Sequence, residues 1–215
     1  MQNKETNLKY AVQLFGYLFV VWGFYRLLVQ LPETIEELLI KPVVWLIPLI
    51  YILRKERLGL SSLGVSSDNL FKSVYLALIL GSVFAIEAVG INFVKYGKLE
   101  FNANLGENLF LVAFILSVAT AITEEIVFRG YIFNRVWMAL DREWSANFIT
   151  SCGWGLVHMP VAIFDWKLDI VSLFIYFILT FAFAVGSSFV FARSRNIISP
   201  ILLHILWQWP IILFR

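Results

Sequence analysis

The sequence predicts an all-α, polytopic membrane helix bundle of about seven (seven to eight) transmembrane helices, and three observations predict it. Of 215 residues, 60% are hydrophobic and 15% charged, with a mean hydropathy of +0.80, more apolar and less charged than soluble proteins. The apolar residues run on continuously and do not alternate, which favours helices over a barrel. Seven apolar stretches can be drawn, near 8–29, 38–53, 70–94, 109–134, 144–164, 169–192 and 197–214, most of them long enough to cross roughly 30 Å of hydrocarbon. One membrane domain, 1–215, accounts for the whole length. The net charge of +2 implies no nucleic-acid partner, and the single Cys152 excludes an internal disulfide.

The first stretch, Leu8 to Val29, is too long for a signal-peptide core and runs into Leu31-Pro32-Glu33 instead of a small-residue cleavage site, so it reads as a retained span. The second is short and holds Pro42 and Pro48, which predict a kink or an oblique entry; an eighth or re-entrant helix fits there. Next comes a connector, RKERLGLSSLGVSSDNLFKS, whose Gly59, Gly64 and Ser67-Asp68-Asn69 supply turn chemistry and a helix cap. The third stretch carries Glu87 among Gly81, Gly90 and several alanines that permit close helix contact.

Lys and Arg sort the loops. Lys4, Lys9, Arg54, Lys55, Arg57, Lys72, Arg135, Arg142, Arg193 and Arg195 fall on one side if every stretch crosses. Glu33, Glu36, Glu37, Glu100, Glu107, Asp165 and Asp169 fall on the other, with Arg26, Lys41, Lys95, Lys98, Lys167 and Arg215 as exceptions. The positive-inside rule then predicts a cytoplasmic N-terminus in an integral protein of the cell (plasma) membrane, with membrane lipids around it.

The fourth stretch contains TEEIVFRG, Thr123 to Gly130, with Glu124, Glu125 and Arg129 inside apolar sequence. A charged side chain at mid-bilayer costs about 2.5–3.5 kcal/mol on insertion scales, so such a group calls for partners or a function. Glu125 and Arg129 have the spacing and order of a same-face ion pair, whereas Glu124 points about 100° away and is left to meet other helices. The fifth and seventh stretches hold the two histidines: His158 closes WGLVH, one turn after Trp154, and His204 opens HILWQ, sharing a face with Gln208. Both histidines at membrane depth, in a chain that also buries Glu-Glu and Arg, predict a shared polar site. In the sixth stretch Gly186, Ser187 and Ser188 read as close-packing residues. Cys152, six residues before His158, faces the opposite side of its helix, which argues against a Cys-His peptidase.

The order Glu124-Glu125-x-x-x-Arg129, Trp154-x-x-x-His158, His204-x-x-x-Gln208 resembles the motif set of the CPBP family, the CAAX proteases and bacteriocin-processing proteins also called Abi. The likeness covers about 109–210, a CPBP-like catalytic core following the N-terminal spans and cytoplasmic connector of 1–108. Trp154 stands where the family usually has Phe, and Gln208 where it usually has Asn or Asp. The resemblance implies an intramembrane endopeptidase acting on a lipidated or membrane-inserted polypeptide. Glu124 with His158 would activate water, His204 and Gln208 would donate to the oxyanion, and Glu125, fixed by Arg129, would orient the site. It favours a metal-independent reaction, with zinc on Glu124, His158 and His204 as the alternative. Rival readings from other classes are a non-catalytic peptide-binding or immunity-type protein and a proton-coupled transporter. Internal repeats, which a transporter of this size often carries, are not found between the chain's halves.

Overall fold

The structure is a computed structural model that describes residues 4–29, 31–99 and 110–213. Glu100, Glu107 and Arg215, used above in the charge pattern, lie outside them, as does the side chain of Arg26. The described chain is a bundle of seven helices: α1 (Lys4–Leu28), α2 (33–56), α3 (Leu70–Tyr96), α4 (Phe110–Leu140), α5 (143–165), α6 (Ile170–Ser194) and α7 (Ile198–Leu213). Of these, α3, α4 and α6 are long and apolar enough to cross a membrane by length and composition. The outer surface is apolar: Phe71, Ile86, Val94 and Ile170 are each more than 70% exposed, as suits a molecule whose solvent is hydrocarbon.

Helix α4 is the centre of the bundle. It packs against α1, α2, α5, α6 and α7, while α3 lies along α7 in the most extensive helix pair among the described residues. Small residues permit close approach: a Cβ on Gly81 would lie 2.6 Å from the Leu206 side chain of α7, and one on Gly186 of α6 would lie 2.8 Å from the Phe84 ring of α3.

Three helices carry wide π turns, at Glu36–Ile40 in α2, Ile126–Phe133 in α4 and Val161–Asp165 in α5. Such turns occur as bulges at functional positions, and here each adjoins charged or histidine residues. The α2 segment overturns one sequence expectation. Helix α2 begins at Glu33, before the apolar stretch drawn from 38, so Glu36 and Glu37 are helical and buried rather than loop charges.

The connector between α2 and α3 is tied down. Asn196 donates to the carbonyls of Ser66 and Asp68 at 2.9 and 2.7 Å, and Asn134 donates to that of Ser62 at 3.0 Å. Asn69 stands at the N-terminus of α3, yet its side chain donates to the Ser194 carbonyl at 3.1 Å instead of capping its own helix. Beneath the connector, Glu56 accepts from Tyr131 at 2.9 Å and from Arg135 at 3.0 Å, pinning α2 to the C-terminal half of α4.

Candidate active site

Two neighbouring carboxylates on α4 organise two polar groups. Glu124 and Glu125 close the α-helical part of α4, immediately before its π turn, and both are buried. Successive residues on a helix diverge by about 100°, so the two side chains enter different inter-helix spaces.

Glu124 turns toward α2 and α5. Its Oε1 lies 2.6 Å from Lys41 Nζ, and its Oε2 lies 3.7 Å from His158 Nε2. His158 is one turn after Trp154, and its Nδ1 stands 2.8 Å from the Trp154 carbonyl oxygen. A carbonyl oxygen only accepts, so Nδ1 carries the proton and Nε2 faces Glu124 with a lone pair. At 3.7 Å the two acceptors are too far apart to bond each other, but one water molecule can donate a proton to both.

Glu125 turns toward α6 and α7. Its Oε1 accepts from Arg129 Nη1 at 3.1 Å and pairs with His204 Nδ1 at 2.8 Å, while its Oε2 accepts from Ser187 Oγ at 2.7 Å. The Arg129 guanidinium lies over Trp154, 4.8 Å from the ring centroid, and near Phe183 at 5.6 Å. Trp154 therefore joins the two groups, its ring centroid 4.3 Å from that of His158 and 6.0 Å from that of His204.

Gln208 lies one turn beyond His204 and is held elsewhere, its Oε1 accepting from Ser117 Oγ at 2.7 Å. Ser117 is seven residues before Glu124, about 10 Å along the helix axis. The structure thus pairs Glu124 with His158 and gathers Glu125, Arg129 and His204, but places Gln208 at the margin. Its carbonyl is engaged, leaving the amide N–H groups as its donors.

The residues that sequence reasoning missed are Lys41, Glu37, Thr120, Ser117 and Ser187. Lys41, an exception in the charge pattern, is 4% exposed and also contacts Glu37 Oε2 at 2.8 Å. Glu37 in turn accepts from Thr120 Oγ1 at 2.5 Å. The spacing Glu37-x-x-x-Lys41 was a usable signal, since it is the same acid-first pair recognised in Glu125-x-x-x-Arg129. Ser187, read as packing, carries a hydrogen bond that no local pattern announces.

Among the described residues no three His, Cys, Asp or Glu side chains are grouped to hold one ion. The Lys41 ammonium already lies against Glu124, and His204 turns Nδ1 to Glu125. Elsewhere, an apolar groove of about 90 Å³ between α1, α4 and α5, lined among others by Phe15, Ile132 and Gly153, does not include Glu124 or His158.

Residues 106–210 match the family model described as type II CAAX prenyl endopeptidase, Rce1-like. No curated protein and no solved structure matches the chain.

Proposed function

We propose that this integral membrane protein, whose residues 106–210 match the Rce1-like type II CAAX prenyl endopeptidase family, is an intramembrane endopeptidase that hydrolyses a peptide bond in a lipidated or membrane-inserted polypeptide by water activated between Glu124 and His158. The carrying observation is the 3.7 Å separation of Glu124 Oε2 and His158 Nε2, two proton acceptors set to share one water.

In this reading the water gives a proton to the Glu124–His158 pair as its oxygen bonds to the scissile carbonyl carbon. The former carbonyl oxygen becomes an oxyanion. His204 Nε2 and the Gln208 amide are its donors. With Nδ1 engaged by Glu125, His204 must carry both protons to donate from Nε2, and the carboxylate 2.8 Å away balances the resulting cation. Collapse of the tetrahedral intermediate breaks the C–N bond, and the stored proton passes to the leaving amine. Arg129 and Ser187 hold Glu125, so these three residues orient His204 without themselves touching substrate.

No step runs through a metal ion, a choice supported by the lysine contact on Glu124. The bundle's contribution is position and a low-dielectric surrounding in which each donor and acceptor is strengthened. The loop charges support a cytoplasmic N-terminus, and the proposed partner is a lipid-anchored or membrane-embedded polypeptide that approaches through the bilayer of the cell membrane.

The test is hydrolysis of a membrane-anchored peptide by the purified protein in lipid nanodiscs, read by mass spectrometry. Cleavage is expected with the native chain and with chelators present, and Glu124→Ala and His158→Ala are expected to lower kcat by about 10²–10⁴-fold. Equal turnover in the two variants would overturn the reading.

A further inference from the structure

Lys41 lies outside the segment that matches the family model, yet its ammonium touches the carboxylate placed at the centre of the reaction. It is buried, 2.6 Å from Glu124 Oε1 and 2.8 Å from Glu37 Oε2, with the Trp22 and Trp45 ring centroids at 5.7 and 5.8 Å. A cation at this depth needs one counter-ion to be tolerated, and here it has two. One comes from its own helix, a turn earlier, and is fixed in turn by Thr120 of α4, one turn before Glu124.

That doubling has a physical consequence. By holding Oε1, Lys41 sets the plane of the Glu124 carboxylate so that Oε2 is the oxygen turned to His158. When Glu124 accepts a proton from water it no longer balances Lys41, and a lysine with a single partner would then be left as an uncompensated buried charge. Glu37 remains. The cation stays paired through the step, so the cluster passes between its two protonation states without unpairing an ion.

We propose that the Lys41–Glu37 pair, supplied by the N-terminal half of the chain, is a positioning element of the hydrolytic site that acts through Glu124. This rests on the hydrolytic reading above. It assigns α2 a role in the chemistry, whereas the motifs on α4, α5 and α7 account only for the groups that face the substrate and for Glu125 and Arg129. The family-matched segment is then incomplete as a catalytic unit without 33–56.

The experiment uses the full chain in nanodiscs and the double variant Glu37→Gln/Lys41→Met, which removes both charges together and strands neither. With unchanged melting temperature and monodispersity, kcat is expected to fall about 10²-fold, the scale of a small misplacement of a reacting group, while KM moves less than about threefold. Lys41→Arg, which keeps the cation, is expected to recover to within about tenfold of the native rate. Native protein and Glu124→Ala are run alongside. Cleavage by the native chain, none by Glu124→Ala and native turnover by a folded double variant would overturn this inference and leave the hydrolytic reading standing.

A second readout does not depend on turnover. Dicyclohexylcarbodiimide modifies membrane-buried carboxyl groups, and tandem mass spectrometry separates Glu124 from Glu125. Labelling of Glu124 is expected to be at least about tenfold faster in the double variant than in the native chain. If the native chain does not cleave, the hydrolytic reading fails, and equal labelling of the two proteins overturns the lysine contact on its own terms. A double variant that does not fold is replaced by Glu37→Gln alone, which leaves Lys41 without a partner once Glu124 is protonated, and native kcat in that variant again overturns the proposal.

Discussion

Glu125 Oε1 stands 2.8 Å from His204 Nδ1, joining residues 79 positions apart in the chain. The carboxylate fixes which ring nitrogen faces it and which points away, and in the proposed reaction the nitrogen that points away meets the substrate. Glu125→Gln keeps the shape but loses the charge that balances a doubly protonated ring. It is expected to lower kcat about 10²-fold. Because the two residues act as a unit, Glu125→Gln/His204→Ala is expected to match His204→Ala within about threefold, with turnover of a membrane peptide as the measurement.

Much of this arrangement was legible from the chain. Continuous apolar runs marked the seven helices because hydrocarbon forces every backbone polar group to pair within its own helix. Charged residues inside those runs marked Glu124, Glu125, Arg129 and both histidines because burial makes such groups costly. The same argument applied to Lys41 and Glu37 but was outweighed by a loop-charge reading, and only the early start of α2 at Glu33 shows that they are inside. Ser187, Ser117 and Thr120 could not be seen, since a hydroxyl on a membrane helix bonds its own backbone as readily as a distant carboxylate. Ser82 does the former, donating to the Leu78 carbonyl at 2.7 Å, whereas Ser187 does the latter. The π turns also carry no single-residue signature, so Gly130 read as the end of a motif and its contact with the connector was hidden.

That contact makes Gly130 a test of how the connector supports the site. A Cβ there would lie 2.9 Å from the Leu63 carbonyl oxygen and 3.2 Å from the Leu63 side chain. Backbone cannot swing aside as a side-chain tip can, so Gly130→Ala must displace the 3₁₀ turn Leu60–Leu63 or bend the π turn that carries Arg129. The expected cost is about 1–3 kcal/mol, seen as a lowered melting temperature in detergent. Gly90→Ala, which meets open space inside a helix, is expected not to lower it and to raise it by up to the equivalent of about 1 kcal/mol, the helix preference of Ala over Gly.

Asp169 offers a pH-dependent test outside the spans. It caps α6, accepting from the Val171 and Ser172 amides at 3.0 and 3.1 Å and from the Ser172 hydroxyl at 2.6 Å. The Ser172 hydrogen bonds, hydroxyl first, hold its carboxyl below the ordinary aspartate value of 3.8. A depressed carboxylate stabilises the folded end of the helix above that ordinary value, and the contribution is lost as pH falls through the lower folded value. Hydrogen exchange at the first turn of α6 is expected to quicken as pH drops below about 4, after correction for intrinsic exchange, and Asp169→Ala is expected to abolish that pH dependence.

Gln208 is where the chain departs from the family's usual Asn or Asp, and its single hydrogen bond says which half of the amide matters. Ser117 donates to Oε1, so the oxygen is engaged and the N–H groups remain to meet an oxyanion. Gln208→Glu keeps the length and the acceptor for Ser117 but removes both donors. Gln208→Ala removes everything. If donation is the role, the two variants lose turnover together, by about 10²–10³-fold with KM little changed, because a donor aimed at the oxyanion acts mainly in the transition state. Ser117→Ala keeps the donors and frees the amide to turn, so a loss of about threefold to tenfold is expected, in line with one ordinary hydrogen bond. Native turnover in a folded Gln208→Glu protein would remove Gln208 from the oxyanion site and leave His204 as the donor, consistent with the marginal place of Gln208 beside Ser117.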